Sequence, residues 1–204
     1  MTSLSRRAFA TAAMASLLVS CGGHDRTGQT APGRPRSTPS PSRSPAKAAP
    51  ALVRSVPVGL RIPAIGVDTP VMRLGLASDG SVQVPPVTAH DRAGWYRHSP
   101  TPGQTGPSVI LGHVTVGAYG DGVFRHLARL RRGDRIEARL ENGTTTVFAV
   151  TNVRTVAKAD FPADAVYGDV DRPELRLITC GGPRTGDGYL DNVIVFAALS
   201  SASP

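Results

Sequence analysis

The stretch DRIEARLENGTTTVFAVTNVRTV, residues 134–156, decides the fold class of this chain. Apolar and charged side chains alternate through RIEARL, which is the period-two pattern of a strand with one buried face. Asn142-Gly143 is a dipeptide favoured in two-residue hairpin turns. The run at 145–156 is apolar on both faces, as expected of a strand further inside a sheet. The stretch therefore predicts an antiparallel β-hairpin.

Short strand-like runs also fill most of the chain after residue 56. They are VGLRIPAIGV (58–67), VMRLGL (71–76), VQVP (82–85), PSVILGHV (107–114), ELRLITC (174–180) and NVIVFAAL (192–199). Short helical turns are expected at GVFRHLARL (122–130) and FPADAVYG (161–168). About eight strands joined by turns predict an all-β domain, an eight-stranded β-barrel with one or two short helices.

The positive charge of the chain is concentrated near its N-terminus. The formal net charge of the 204 residues is +8. Residues 1–55 hold eight Lys and Arg and one Asp, whereas residues 56–204 hold fifteen basic and fourteen acidic side chains. A nucleic-acid-binding domain carries a basic face on its folded part. The charge distribution therefore argues against a nucleic-acid partner.

The first 21 residues have the features of an export signal. Arg6-Arg7, which resembles a twin-arginine signal, precedes an apolar segment at 8–20 that is too short to cross a bilayer. LVSC, ending at Cys21, resembles a bacterial lipobox, in which the cysteine receives a diacylglyceryl group and becomes the mature N-terminus. We therefore expect Cys21 to be lipidated. An ordinary cleaved signal peptide and a short uncleaved anchor are the alternatives.

Residues 22–55 are expected to form a disordered linker. Six prolines occur in this segment, among Ser, Thr, Gly, Ala and Arg. Such a composition cannot bury enough apolar surface to fold, and proline keeps the chain extended. The predicted organisation is a signal peptide at 1–21, a tether at 22–55 and a folded domain at 56–204. This order predicts a domain tethered at its N-terminus to the extracytoplasmic face of the cell membrane.

Cys180 closes the apolar run LRLITC and is followed at once by Gly181-Gly182. The glycines clear side chains from beside the sulfur, which a nucleophile needs because a substrate backbone has to approach it. A packed structural cysteine, or a disulfide with Cys21, is the alternative. A free thiol is mostly protonated at neutral pH and needs a neighbouring base. His113 ends the run SVILGH, again beside a glycine, so we predict that the two strand ends converge at one rim of the barrel.

LRLITCGG, together with VILGHV, VFRHLARLRRGDRI, VYG and YLDNVIVFA, resembles the sortases, most of all their class F branch in actinobacteria. The similarity covers about residues 57–198. It implies an eight-stranded barrel and an exported cysteine transpeptidase of a Gram-positive cell surface. It also implies that Cys180 is the nucleophile and His113 the acid and base.

Sortases also use an arginine, usually on the strand that follows the cysteine. Counting back from the DN dipeptide, that position holds Leu190. Arg184, four residues beyond the cysteine, is the predicted substitute, because its guanidinium is within reach of a thiolate or a developing oxyanion. A solvated loop arginine is the alternative, and Arg176 is a weaker candidate. Thr179 and backbone amides near Gly181 are predicted to orient the site and bind the oxyanion.

The predicted function is transpeptidation through a Cys180 thioester. The thiolate attacks a carbonyl in the sorting signal of an exported protein, His113 protonates the departing amine, and a cell-envelope amine then takes the acyl group. The resemblance implies a signal similar to Leu-Pro-x-Thr-Gly. No cofactor is expected, and no Cys or His spacing favours a metal. The alternatives are a cysteine hydrolase that uses the same pair and a catalytically degenerate peptide-binding lipoprotein, which Leu190 favours.

Overall fold

Residues 51–186 and 188–204 are described by the computed structural model, and they form ten strands and one short α-helix. The elements are β1 (Pro57–Ile62), β2 (Val67–Leu74), β3 (Ala93–Tyr96), β4 (Gly106–Leu111), β5 (Thr115–Val116), β6 (Gly120–Asp121), β7 (Arg135–Leu140), β8 (Thr145–Ala157), α1 (Ala163–Tyr167), β9 (Pro173–Thr185) and β10 (Gly188–Ser203). The predicted signal peptide, with Cys21, and the linker up to residue 50 lie outside the described residues. Within the described part of the chain, no helix combines the length and apolar character that a bilayer span requires.

Eight of these strands close into a β-barrel in the order β1-β2-β3-β4-β9-β10-β8-β7. Neighbours are antiparallel except for two parallel pairs, β2 with β3 and β4 with β9. The hairpin predicted at 134–156 is formed by β7 and β8. The short strands β5 and β6 make a separate two-stranded sheet. The prediction of an all-β, eight-stranded barrel is therefore confirmed.

The strands before residue 100 differ in detail from the sequence prediction. The run at 58–67 is divided by a 3-10 turn at Pro63–Ile65, since proline cannot donate to a strand ladder. The run VQVP forms only a single bridge, between Leu76 and Val82. AGWY, which has no polar–apolar alternation, forms β3, and all but the last of its residues are buried. Burial on both faces removed the alternation by which the strand would have been recognised.

The barrel interior is packed with apolar side chains from its strands. Trp95, Phe124 and Phe148 are among the largest side chains that are completely buried. In β9, Leu175 and Leu177 belong to the same core. Burying one side chain of this kind contributes roughly 1.5–3 kcal/mol, so the interior holds the strand ends of the barrel in fixed positions.

The helix α1 lies within the turn expected at 161–168, whereas the turn expected at 122–130 contains only one 3-10 turn. α1 contributes Val166 to a second apolar cluster, which includes Leu111 of β4 and Ile178 of β9. This cluster is formed by side chains that alternate with those of the barrel interior. α1 therefore covers part of the outer face of the sheet, next to the end of β4.

The last residues of the predicted linker contact the barrel. The Leu52 amide donates to the Gly103 carbonyl at 2.8 Å. Arg54 donates from Nη2 to the Arg97 carbonyl at 3.1 Å, and its guanidinium carbon lies 5.3 Å from the centre of the Trp95 ring. These contacts join the end of the linker to the domain, and the domain boundary at residue 56 stays a prediction.

Candidate active site

Cys180 lies in β9, where the strand leaves the barrel core. Alternation along β9 directs Leu177 and Thr179 inward, where both are buried, and leaves Cys180 half-buried on the opposite face. Within the described residues its thiol forms no disulfide, and Cys180 pairs in register with Asn192 of β10. The strand therefore presents an unbonded sulfur at a fixed position on the outer face of the sheet.

The two glycines after Cys180 have packing reasons of their own. A Cβ on Gly181 would lie 2.6 Å from Cγ2 of Val193, which is too close for any real side chain. Gly182 has a φ of +71°, and a Cβ there would overlap the carboxylate of Asp191. The sequence interpretation, in which the glycines clear space for a substrate, is thus only part of the explanation. They also allow β10 to approach β9 closely beside the sulfur.

His113 follows the end of β4, which runs parallel to β9. The register pairs Leu111 with Ile178, and the Gly112 amide donates to the Ile178 carbonyl at 3.1 Å. Continuing this register by two residues puts His113 opposite Cys180. Neighbouring strands lie about 4.8 Å apart, and paired residues project from the same face. The parallel pairing of β4 and β9 thus brings together two residues that are distant along the chain.

Cys180 and His113 line the same small cavity. Its volume is about 160 Å³, and its wall also contains Val84, Leu111 and Ile178. The imidazole and the thiol therefore border the same space, although Cys180 lies within β9, which continues to Thr185, and not at a strand end as the sequence predicted. The catalytic roles assigned to them stay a prediction.

The imidazole of His113 is held by a backbone carbonyl. Its Nε2 lies 2.6 Å from the carbonyl oxygen of Pro85, in the connection between β2 and β3. Because a carbonyl oxygen only accepts, Nε2 is the donor in this contact. Nδ1 is the ring nitrogen left to exchange a proton with another group.

A second, larger cavity opens beside Cys180. It has a volume of about 310 Å³. Its wall is formed in part by Thr179, Cys180 and the two following glycines of β9, and it also includes Arg125 and Tyr189. The Tyr189 hydroxyl forms a hydrogen bond of 2.7 Å with Thr115 Oγ1 in β5, which ties the start of β10 to the small sheet. Cys180 therefore stands between two cavities, and His113 lines the smaller one.

The arginine predicted for the site lines neither cavity. Arg184 is exposed, and its guanidinium carbon lies 5.8 Å from the centre of the Tyr189 ring, with which it also pairs in register. Neither cavity wall includes Arg184. Leu190, at the position where relatives carry arginine, is 49% exposed. A catalytic role of Arg184 stays a prediction, and in this structure its guanidinium packs on Tyr189.

Arg176, the weaker candidate, has other partners. Its Nη2 lies 2.6 Å from Glu174 Oε2, and its Nε donates to the Ala165 carbonyl at 3.2 Å. The guanidinium carbon also lies 4.6 Å from the centre of the Phe196 ring. The side chain is only 4% exposed. This arginine therefore joins β9 to α1 instead of reaching the sulfur.

Arg125 is a cation near the thiol that the sequence reasoning missed. It lines the larger cavity together with Cys180, and its Nε forms an ion pair with Asp121 Oδ1 at 2.9 Å. Arg125 belongs to the stretch at 122–130, which was interpreted only as a helical turn. Nothing local in that stretch indicates proximity to Cys180, because the two residues are 55 positions apart and meet only through the fold.

Thr179 and Gly181, the predicted oxyanion and orienting residues, both border the larger cavity. Thr179 is 4% exposed, and within the described part of the chain its Oγ1 has no hydrogen-bond partner. A buried hydroxyl without a partner is costly, so a group that enters the cavity gains an available donor. The roles of both residues stay predictions.

Tyr167, the last residue of α1, has a perturbed pKa. Burial raises the pKa of the Tyr167 hydroxyl above its ordinary value, and the neighbouring Tyr96 raises it further. The two rings meet edge to face with their centres 6.3 Å apart. Tyr167 is therefore an uncharged aromatic side chain at neutral pH, on the side of the barrel that carries α1.

The fold and the site define a closed β-barrel with a free thiol on one strand and an imidazole at the end of the parallel strand beside it. Residues 60–200 match the family model of the Sortase domain. Since this match covers well over half of the chain, the protein belongs to the sortase family. Sortases are cysteine transpeptidases that act on exported proteins bearing sorting signals.

Solved sortase structures have the same fold. The lid mutant of sortase A from Corynebacterium diphtheriae is 20% identical, with 75% of this chain and 74% of that chain covered and a TM-score of 0.56. Sortase C-1 from Actinomyces oris is 20% identical, with coverage of 70% and 73% and a TM-score of 0.55. The sortase D5 transpeptidase of Clostridium perfringens is 23% identical, with coverage of 72% and 79% and a TM-score of 0.53. No curated protein sequence matches the chain significantly.

Proposed function

We propose that this protein is a class F sortase that transfers exported proteins to an amine of the cell envelope. The observation that carries the proposal is the cavity shared by Cys180, which lies within β9, and His113, which follows the end of the paired strand β4 in a sortase-domain barrel. The assignment to class F rests on the resemblance of residues 57–198 to that branch, mainly through LRLITCGG and YLDNVIVFA.

The first half-reaction forms a thioester on Cys180. The thiolate attacks a peptide carbonyl of the sorting signal, and the C–N bond of the tetrahedral intermediate breaks. His113, as imidazolium, gives its proton to the departing amine nitrogen. The cavity on the His113 side and the cavity on the Arg125 side leave room for the chain on both sides of the scissile bond.

The second half-reaction transfers the acyl group. An incoming amine attacks the thioester carbonyl, His113 takes the proton from its nitrogen, and the C–S bond breaks to regenerate the thiolate. Backbone amides near Gly181, the Thr179 hydroxyl and a guanidinium are the groups available for the oxyanion. Arg184 is the cation predicted from sequence, and Arg125 is the cation that borders the larger cavity with the sulfur.

The proposed location is the extracytoplasmic face of the cell membrane. A diacylglyceryl group on Cys21 would hold the N-terminus in the lipid, and the Pro-rich segment at 22–50 would separate the barrel from it. This arrangement suits an enzyme whose substrates are exported proteins and whose acceptor amine belongs to the cell envelope.

The proposal is tested with purified protein, peptides of the form Leu-Pro-x-Thr-Gly and hydroxylamine as a small amine nucleophile. We expect a mass increase on Cys180 that corresponds to the acyl-enzyme, followed by a peptide hydroxamate. Cys180→Ala should abolish both products, and His113→Ala should slow them by roughly 10²–10⁴-fold, the usual contribution of an acid–base residue. Absence of any acyl-enzyme across a library of varied signals would contradict the proposal.

The same assay distinguishes the hydrolase alternative. With a peptide amine in place of hydroxylamine, a sortase gives the ligated product in preference to the free acid, whereas a cysteine hydrolase gives mainly the free acid. A degenerate peptide-binding protein would bind the peptides and give neither product.

A further inference from the structure

We propose that the backbone carbonyl of Pro85 fixes the protonation form of His113 and makes Nδ1 the atom through which His113 exchanges protons at the active site. The proposal rests on the proposed function and deepens it, because it names the reacting nitrogen and the residue that positions it. Pro85 is a positioning residue here, since it touches the imidazole and not the substrate.

The first support is the contact itself. His113 Nε2 lies 2.6 Å from the Pro85 oxygen, and Pro85 is buried. A carbonyl oxygen has no proton to give, so Nε2 carries a proton in both the neutral and the cationic ring. In the neutral ring Nδ1 then has the free lone pair, and in the cationic ring Nδ1 holds the second proton.

The second support is the rigidity of the segment that carries the carbonyl. Because Pro85 precedes Pro86, the backbone of Pro85 is restricted to an extended conformation, and Pro86 is itself extended, with a φ of −55° and a ψ of 147°. Just before them, the Gln83 amide donates to the Gly75 carbonyl at 3.0 Å, and the Gly75 amide donates to Gln83 Oε1 at 2.8 Å. The segment that carries the Pro85 carbonyl is therefore held by the two hydrogen bonds between Gly75 and Gln83 and is stiffened by Pro85 and Pro86. The carbonyl loses little conformational entropy when it accepts the hydrogen bond from the imidazole.

The third support is the position of the segment beside the sulfur. Val84, the residue before Pro85, lines the small cavity together with His113 and Cys180. The parallel register ends at Leu111 and Ile178, and its extension by two residues puts His113 opposite Cys180. The imidazole is therefore bounded by the Pro85 carbonyl on one side and by the cavity of the thiol on another, so the nitrogen that is not bonded to Pro85 is the one available to the cavity.

The resulting proton transfers are balanced. In the resting site, Nδ1 accepts the proton of the Cys180 thiol, which leaves a thiolate and an imidazolium. During acylation the Nδ1–H proton moves to the leaving amine as the C–N bond breaks. During transfer Nδ1 takes a proton from the incoming amine. Throughout the cycle, the hydrogen bond from Nε2–H to the Pro85 carbonyl stays intact and prevents a 180° flip of the imidazole ring.

The decisive experiment replaces His113 by Nδ1-methylhistidine through genetic code expansion. The methyl group blocks Nδ1 and leaves Nε2 free to react. We expect alkylation of Cys180 by iodoacetamide at pH 7 to slow as much as in His113→Ala, and peptide transfer to fall by roughly 10²–10⁴-fold. The matched control is Nδ1-methylhistidine at His98, which is exposed and lines neither cavity, and it should leave both rates unchanged.

Retention of the wild-type alkylation rate in the His113 analogue would make Nε2 the reacting nitrogen and overturn the proposal. A second measurement does not depend on the folding of any variant. Long-range ¹⁵N spectra of the wild-type protein, recorded at a pH where the His113 ring is neutral, should find its single proton on Nε2, and a neutral ring that carries its proton on Nδ1 would also overturn the proposal. Alkylation needs no peptide, so the two proposals can fail separately. If the alkylation rates and the ¹⁵N spectra are as expected but the wild-type protein transfers no peptide, only the proposed function is contradicted.

Discussion

Gly182 shows how a single missing side chain shapes the site. Its φ of +71° is in the region that favours glycine, and its Cα lies against the carboxylate of Asp191 on β10. It also borders the larger cavity next to Cys180. A side chain at this position would strain the backbone and push β10 away from the strand that carries the sulfur.

Gly182→Ala should therefore lower the free energy of unfolding by about 1 kcal/mol or more and reduce acyl-enzyme formation. The measurement is urea denaturation followed by the fluorescence of Trp95, the single tryptophan of the chain, together with the peptide assay. Gly186→Ala is the matched control, because an added Cβ there meets nothing within 4 Å and its φ lies outside the positive region. Equal stability of the two variants would contradict the steric explanation.

Arg125 and Arg184 are expected to differ in how much their removal slows acyl-enzyme formation. Arg125 borders a cavity with Cys180, whereas the guanidinium of Arg184 packs on Tyr189. Arg125→Ala should lower the rate of acyl-enzyme formation by roughly 10–100-fold, less than a fully buried oxyanion donor contributes, because Arg125 is exposed and paired with Asp121.

Single-turnover kinetics with a saturating peptide separate this effect from weaker binding. Arg129→Ala is the control, since Arg129 is an exposed arginine of the same segment that borders neither cavity. If Arg184→Ala reduces the rate more than Arg125→Ala does, the arginine predicted from sequence is the functional one and the loop has to rearrange when the peptide binds.

At the scale of elements, β9 is connected to α1 through Arg176, whose guanidinium is held by a buried ion pair within the strand. Glu174 is bonded to Arg176 and to Arg172, each at 2.6 Å, and Arg176 also donates to the Ala165 carbonyl of α1. The Phe196 ring covers the Arg176 guanidinium. The network holds α1 over the outer face of the strand that carries the thiol.

Arg176→Met should destabilise the protein by about 3 kcal/mol, because it leaves Glu174 poorly compensated in a site where it is only 11% exposed. The midpoint of urea unfolding measures the change. Arg61→Ala serves as the control, since Arg61 pairs with Glu137 while being half exposed, and a surface pair contributes about 1 kcal/mol or less.

Adding Glu174→Gln to Arg176→Met should restore part of the lost stability, because the unpaired charge is removed with its partner. A double variant that is as unstable as the sum of the two single variants would mean that the charges act independently. The destabilisation would then come from lost packing on Phe196.

At the scale of the whole molecule, the excess positive charge and the predicted export signal lie in residues 1–55, whereas the candidate active-site residues lie in the barrel. Residues 1–55 carry nearly all of the net charge, whereas the barrel is close to neutral. The barrel has little net charge of its own with which to bind a membrane surface, so the proposed membrane location depends on the proposed lipid anchor.

Cys21→Ser should release the protein from the membrane fraction into the medium or the soluble fraction. Lipidation of the cysteine sulfur is required for the proposed anchor, and serine has no thiol. Intact-mass measurement of the wild-type N-terminus should find a mature chain that begins at Cys21 with an added diacylglyceryl group. A mature N-terminus elsewhere, or membrane retention of the Cys21→Ser variant, would contradict the lipid anchor.

The amino-acid sequence predicted the all-β barrel, which is confirmed, and it offered Cys180 and His113 as candidates whose roles are implied by the sortase resemblance. These inferences depend on local information: the alternation through 134–156, the turn at Asn142-Gly143, and a cysteine and a histidine that each end an apolar run next to glycine. Local patterns are readable because each strand must bury one face and each turn must use residues that permit it.

Only the tertiary structure decided which distant groups meet. The parallel pairing of β4 with β9 puts His113 beside Cys180, the connection after β2 brings the Pro85 carbonyl to the imidazole, and the 122–130 segment brings Arg125 to the cavity of the sulfur. No local sequence pattern predicts these contacts, because strand order and the paths of the connections are determined by burial across the whole barrel. The sequence supplies the candidate thiol and imidazole, Cys180 and His113, and the closure of the barrel determines which residues surround them.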